Sequence, residues 1–212
     1  MKNIVIAVLF VFCSSCYSVK YTAAKLIFNV SEPKVISKEK ILATSKRYKL
    51  DRDRILYFRN IFEFADVQNN EIKGIPDIIV IDSLGRHLLY AVDSIHCNGN
   101  AFTFIDKIIA GEPISFDTGL IRTGTPDRLK GLRYLEGDQL VQPDKTKPYQ
   151  VYIMWASYVG RLNTTFARKL QEKLKMAKNV DYYLVNMDMN QVWGVKMDKT
   201  SYSEVQKGIR HN

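Results

Sequence analysis

A cysteine beside a histidine is the residue pair in this 212-residue chain that could supply covalent chemistry. A thiol at Cys97, assisted by His96, could attack a peroxide or exchange with another thiol, because the thiolate is the reactive form. Side chains of adjacent residues in a strand point to opposite faces, so an incidental, buried Cys97 is the alternative. The three histidines, His87, His96 and His211, show no metal-ligand spacing, so we expect no metal. No phosphate loop or dinucleotide fingerprint appears, and we expect no cofactor.

The N-terminus has the layout of an export signal. Lys2 precedes Ile4–Phe12, nine residues without a polar side chain, which is too short a run to span a bilayer stably. Small residues, Ser14 and Ser15, come just before Cys16. The segment resembles a bacterial lipoprotein signal, in which the cysteine after the cleavage site is lipidated, although Cys13 occupies the position where leucine is commonest. Cleavage without lipidation and an uncleaved anchor are the alternatives.

The signal changes what the cysteines can do. Cleavage removes Cys13 and lipidation blocks Cys16, so Cys97 is the one thiol left and a dithiol–disulfide cycle within one chain is excluded. We therefore predict a protein of the bacterial cell envelope, held at a membrane by its lipid. The predicted organisation is a signal peptide over residues 1–16, a tether over 17–36 and one domain over 37–212.

The remaining pattern predicts an α/β fold. Continuous apolar runs in strands indicate burial on both faces, and a strand–helix–strand sequence near the C-terminus predicts a parallel βαβ unit. A hairpin with a turn at Ser83–Arg86 is predicted upstream. The predicted helices are Ser37–Tyr48, Phe102–Ala110 and Asn163–Lys178, and the predicted strands are Lys25–Val30, Ile55–Phe58, Asp77–Asp82, His87–Val92, Tyr149–Ala156 and Val180–Met187.

The stretch Tyr149–Leu162 resembles the active-site segment of the thioredoxin-like family. There a central strand runs into Trp-Ala-Ser-aromatic-Cys-Gly-Pro-Cys and then the main helix, and this chain has Trp155, Ala156, Ser157, Tyr158 and Gly160 at the matching positions. Both cysteine positions have changed, to Val159 and Leu162, and the proline to Arg161. The resemblance implies the fold, a three-layer sandwich with a mixed central sheet, without its redox site.

A second match comes earlier in the chain than the family's order allows. Gly74–Arg86 resembles the family's cis-proline, strand, Asp-x-x-Gly turn and return strand, which normally follow the main helix. A circular permutation would reconcile the two segments, because termini that lie close together can be rejoined elsewhere. This hypothesis predicts a cis Ile75–Pro76 peptide bond facing the Ser157–Leu162 turn. The alternative is generic turn residues around a buried hairpin in an unrelated α/β domain.

The expected function is that of a non-redox binding or accessory module, so an enzyme is disfavoured. The predicted binding surface is the rim of the former active site, where an exposed aromatic beside an arginine could anchor a partner, although Trp155 could instead belong to the core. The rim residues are Trp155, Ser157, Tyr158, Arg161, Ile75 and Pro76. The rival hypothesis is a one-cysteine thiol peroxidase or thiol-exchange enzyme that uses Cys97.

The positive net charge of +9 restricts the partners. Removing Lys2 with the signal leaves a net charge of +8, so the excess of basic residues belongs to the mature domain. There these residues are spread over helix faces and do not form one continuous block. Export argues against nucleic acid. An envelope protein, or an anionic membrane surface or glycan, is the predicted partner besides the membrane that holds the lipid.

Overall fold

A computed structural model describes residues 27–72, 74–90, 99–112, 121–122 and 125–194. These residues form a mixed α/β fold, as predicted, built on a seven-stranded mixed sheet and a separate two-stranded ribbon. The predicted signal peptide and the predicted lipidation site, Cys16, lie outside the described residues, as do His96 and Cys97.

The strands follow the predicted positions closely in the centre of the sheet. The large sheet has the order β5-β4-β3-β7-β8-β2-β6, and β1 pairs with β9 in the ribbon. The strands are β1 (Val35–Ile36), β2 (Ile55–Phe58), β3 (Asp77–Asp82), β4 (His87–Leu88), β5 (Ile121–Arg122), β6 (Leu132–Tyr134), β7 (Tyr149–Trp155), β8 (Val180–Asn186) and β9 (Met189–Asn190).

Five α-helices lie wholly in the described part of the chain, and residues 27–28 are helical as well. They are α1 (Lys38–Tyr48), α2 (Ile61–Asn70), α3 (Gly99–Ala110), α4 (Thr125–Leu129) and α5 (Lys169–Lys175). A π-helical segment, Asn163–Arg168, leads directly into α5, and we call the two together the main helix. Single 3-10 turns cover Arg52–Arg54, Ser157–Val159 and Gln191–Trp193.

Strand β7 lies at the centre of the sheet and connects its two halves. It runs parallel to β8, which confirms the predicted βαβ unit, and antiparallel to β3, with Asp77 opposite Met154. All residues of β3 and β8 are buried, as the continuous apolar runs predict for strands covered on both faces. This register places the residues just before β3 beside the carboxyl end of β7.

Helices cover both faces of the sheet. One apolar cluster joins the sheet to α1, α3 and the main helix, where Phe102 meets Phe166 edge to face with ring centroids 5.5 Å apart. A second cluster on the other face includes Phe64 and Val67 of α2 and Leu129 of α4. The core is therefore two apolar layers separated by the sheet.

Some boundaries differ from the predicted ones. Strand β4 ends at Leu88, and the rest of the predicted return strand is irregular at 89–90 and lies outside the described residues at 91–92. The main helix ends at Lys175 rather than Lys178, where Met176 is 84% exposed and offers no core contact to continue it. Helix α2 was not predicted. The predicted strand Lys25–Val30 is wrong in its described part, because residues 27–28 are helical and residue 29 lies in a turn. Residues 28–36, assigned to the tether, pack on the domain: Val35 and Ile36 pair with β9.

Candidate binding surface at the end of the central strand

The turn between β7 and the main helix, residues Ala156–Leu162, is held by a buried carboxylate. Asp188 accepts the Ser157 backbone N–H at 2.8 Å and the Ser157 hydroxyl at 2.7 Å. Asp188 follows β8, and parallel neighbouring strands end at the same edge of a sheet, so the two residues meet there. Asn186 adds a third bond by donating its side-chain N–H to Asp188 at 2.8 Å.

The buried environment of Asp188 changes the pKa of its carboxyl. The residue is 2% exposed, and this burial raises the pKa of its carboxyl above the ordinary value of 3.8, although the bonds from Ser157 and Asn186 act in the opposite direction. The carboxylate is therefore a fixed internal acceptor that orients the turn.

The raised pKa of Asp188 predicts an unusual pH dependence of stability. A raised folded-state pKa means that the stabilising contribution of Asp188 is fully present below about pH 4 and is lost as pH rises through the folded pKa. A tenfold difference in proton affinity between the folded and unfolded states is worth about 1.4 kcal/mol. We expect the free energy of unfolding of the wild type minus that of Asp188→Asn to fall as pH rises, measured by urea denaturation.

Asp144 supplies the matched control for this measurement. It is a surface carboxylate whose pKa is lowered by hydrogen bonds from Thr146, so its contribution is lost as pH falls. The corresponding difference for Asp144→Asn should therefore change in the opposite direction. A wild-type minus Asp188→Asn difference that rises with pH would contradict the assignment.

A segment from the N-terminal part of the chain lies on this turn. We call Phe28–Ser31 the strap. The Arg161 N–H donates to the Phe28 carbonyl at 2.6 Å, and the Ser31 N–H donates to the Tyr158 carbonyl at 2.7 Å. The strap is thus bound to the turn through main-chain groups of both partners.

Gly160 makes this close approach possible. A Cβ at Gly160 would overlap the carbonyl oxygens of Phe28 and Asn29, and the residue has φ +59°, a conformation that side chains disfavour. Two separate constraints therefore require glycine here: the backbone conformation and the contact with the strap.

The structure corrects one residue of the predicted rim. Trp155 is wholly buried, in the cluster beneath the main helix, so the expectation that it is an exposed anchor is wrong and it belongs to the core. Its place in β7 explains this, because helices cover both faces of that strand. Arg161 is exposed, whereas Ser157 and Tyr158 are half-buried.

The other predicted rim residues lie beside the turn. The Ile75–Pro76 peptide bond is cis, as predicted, and Pro76 is buried. The pairing of Asp77 with Met154 places this peptide next to the end of β7. Half-buried Ile75 packs on the same apolar cluster as Tyr158 and Leu162.

The turn carries no thiol. Val159, at one of the two positions matched above to the family's cysteines, is 3% exposed and belongs to the apolar cluster, and Leu162, at the other, packs against it. The arrangement offers backbone donors and acceptors, a charged Arg161 and an apolar margin. It is suited to binding rather than to dithiol chemistry.

Asp188 and the strap were missed by the sequence analysis. An Asn-x-Asp sequence after a buried strand, Asn186 to Asp188, was a usable signal, because polar residues at the carboxyl end of a parallel strand often face a neighbouring loop. The strap had no such signal, since its contacts are formed by the backbone.

A polar cleft of about 500 Å³ lies at the opposite edge of the sheet, at the start of β8. Two ion pairs line it: Arg54 binds Asp181 at 2.5 Å and Arg52 binds Glu136 at 2.5 Å. Burial alone would lower the pKa of Arg54, but the bond and charge of Asp181 raise it. These pairs join the 3-10 turn before β2 to β8 and to the loop after β6.

A cluster of buried polar side chains joins α2, β4 and α4. The Glu71 side chain is fully buried and accepts from Thr125 at 2.7 Å and from Arg128 at 2.5 Å, and the Nδ1 atom of His87 lies 3.0 Å from it. His87, one of the three histidines without metal-ligand spacing, is thus held by Glu71 and also lies 3.1 Å from Thr125. Arg128 contacts Asp66 on its outer side as well.

Searches for other site types and for relatives found nothing. Within the described ranges, no group of three or more histidine, cysteine, aspartate or glutamate residues could hold a metal ion. No helix among the same residues is both long and apolar enough to cross a bilayer. None of the models of known protein families matches this chain, and no curated protein or solved structure is significantly similar to it.

Proposed function

We propose that this protein is an exported, lipid-anchored binding module with a thioredoxin-like, circularly permuted fold and no dithiol activity. Its contact surface is the turn between β7 and the main helix, with the margin formed by Tyr158, Arg161 and Ile75. It works without a cofactor, by holding a partner protein of the cell envelope close to the membrane.

The strand arrangement supports the fold assignment. In the family, the proline-strand-turn-strand segment lies beside the strand that enters the active-site turn, but it comes later in the sequence. Here β3 and β4 precede β7 and nevertheless take that place in the sheet, antiparallel to β7. A change in chain order with spatial neighbours kept is what a permutation produces.

One observation carries the binding function: the turn already binds a segment of polypeptide. The bonds between Arg161 and Phe28 and between Ser31 and Tyr158 form a main-chain interface on a surface that has Arg161 at its exposed side. The chemistry of this surface is therefore recognition of backbone groups, with Val159 in place of the nucleophile.

Photo-crosslinking tests this function in cells. A photo-crosslinking amino acid at position 161 of the full chain is expected to form a covalent adduct with one partner of defined mass. The same amino acid at position 176 is the control, because Met176 is 84% exposed but lies just past the far end of the main helix. Equal adducts at the two positions, or none at position 161, would overturn the proposed surface.

The lipid anchor makes a prediction of its own. Cys16→Ser is expected to move the protein from the membrane fraction to the soluble fraction, because multiple acyl chains hold a protein far more firmly than one. Cys13→Ser should leave it in the membrane fraction, since Cys13 leaves with the signal. Fractionation of cells and mass spectrometry of the mature N-terminus measure both outcomes, and membrane retention of Cys16→Ser would refute lipidation there.

A further inference from the structure

The strap identifies the class of ligand that the turn accepts. We propose that the turn is a docking surface for a polypeptide segment in which a residue with a left-handed backbone conformation directs two successive carbonyl groups at the turn. Phe28–Ser31 occupies this surface as an intramolecular substitute for that ligand. This inference rests on the proposed function and specifies the partner at the same surface.

The conformation of Asn29 is what brings the two carbonyls together. Asn29 has φ +54°, in the left-handed region, which asparagine and glycine adopt far more readily than other residues. Asn29 directly follows the helical residues 27–28, and the oxygens of Phe28 and Asn29 both approach Gly160. A ligand with asparagine or glycine at the matching position could present its carbonyls in the same way.

Two apolar side chains of the strap, one on each side of Asn29, are partly shielded from solvent. Phe28 and Val30 are half-buried, whereas Asn29 and Ser31 are exposed. The ligand pattern is therefore an apolar residue, then asparagine or glycine, then a second apolar residue. Because the hydrogen bonds come from the backbone, any segment with this pattern can form the same bonds to the turn as the strap does.

Occupation by the strap reduces the affinity for an external ligand. A competitor held in the same chain keeps the site closed for most of the time, and the apparent dissociation constant rises by the inverse of the open fraction. Weakening the strap should therefore increase ligand binding without any change in the turn itself.

The test uses the full chain and a synthetic peptide of residues 24–34 as the probe. Ser31→Pro in the protein removes the N–H that binds the Tyr158 carbonyl, because proline has none. We expect this variant to bind the labelled peptide about tenfold more tightly than the wild type, as for a site that is open about one tenth of the time. Fluorescence anisotropy measures the affinity, and a cooperative melt shows that each protein is folded.

Matched peptides test the proposed pattern. A peptide with Asn29→Gly should bind to the Ser31→Pro protein as well as the unmodified peptide does. A peptide with Asn29→Val should lose most of its binding, because a β-branched residue is strongly disfavoured in the left-handed region. Equal binding of the glycine and valine peptides would overturn the role of the left-handed residue.

Matched glycine variants locate the site. Gly160→Ala, combined with Ser31→Pro, should abolish peptide binding, because the new Cβ occupies the space of the two carbonyls. Gly194→Ala is the control: it has a similar φ of +67° and nothing within 4 Å of its Cβ position. Loss of binding in both variants, or in neither, would place the peptide elsewhere and overturn the inference.

The outcomes separate this inference from the proposed function. If folded Ser31→Pro and wild-type proteins bind the peptide equally, or neither binds it, the strap is part of the fold and this inference fails. A crosslink at position 161 would still support the binding function in that case. If the peptide binds as expected but position 161 yields no adduct in cells, the proposed cellular function fails while the ligand class stands.

Discussion

Trp155→Ala is expected to lower the free energy of unfolding by about 3–5 kcal/mol, the range for removal of a large aromatic side chain from a core. Trp155 has 0% exposure and is the largest of the fully buried side chains, so the surrounding cluster cannot collapse fully into the space it leaves. Urea denaturation followed by far-UV circular dichroism measures the effect.

Trp155→Phe is the matched control for this prediction. The indole Nε1 of Trp155 has no hydrogen-bond partner among the described residues, so phenylalanine removes an unsatisfied donor and keeps most of the apolar volume. We expect less than about half of the loss seen with alanine, because the residual cavity is smaller. An alanine variant as stable as the wild type, but unable to bind the partner, would restore Trp155 to the binding surface.

Arg128→Ala is expected to cost about 3 kcal/mol of stability, at the lower end of the range for breaking a buried ion pair. The Glu71 carboxylate is fully buried, and Arg128 is its cationic partner at 2.5 Å. Removing the guanidinium leaves this carboxylate with Thr125 and His87. The expected loss is at the lower end because Arg128 is 34% exposed and solvent weakens its interaction.

A double variant tests whether the cost comes from the uncompensated charge. Adding Glu71→Gln to Arg128→Ala removes that charge, so the double variant should be more stable than Arg128→Ala alone. Lys130→Ala is the surface control, since Lys130 forms its ion pair with Asp127 where both side chains are largely exposed. If the double variant is the least stable of the three, Glu71 contributes through something other than its charge.

The sequence predicted the centre of the fold because local pattern and burial agree there. Helix α1 begins after Ser37, whose side chain accepts the Lys40 N–H as an N-cap, and the fully buried strands β3 and β8 have the predicted ends within one residue. Helix α2 was missed although its signal was present. Asn60 caps it by accepting the Glu63 N–H, and Phe64 and Val67 provide the buried face.

Other elements depend on contacts that no local pattern contains. Strand β6 has three residues and exists because it pairs with β2, more than seventy positions earlier in the chain. The position of β2 beside β8 likewise depends on pairing between strands that are far apart in the sequence. At the candidate site, the sequence located the turn and the adjacent Ile75–Pro76, but it assigned Trp155 to the wrong environment. A strand that is buried on both faces gives no alternation from which to choose the exposed side.

The two outer strands of the large sheet limit how these molecules can associate with one another. An open sheet edge is a template for pairing with another chain, and crowding on a membrane would increase that risk. In the described part of the chain the two outer strands, β5 and β6, have only two and three residues. They offer few free main-chain groups to a neighbouring copy. Copies that lie side by side can therefore remain separate molecules instead of extending one sheet into another.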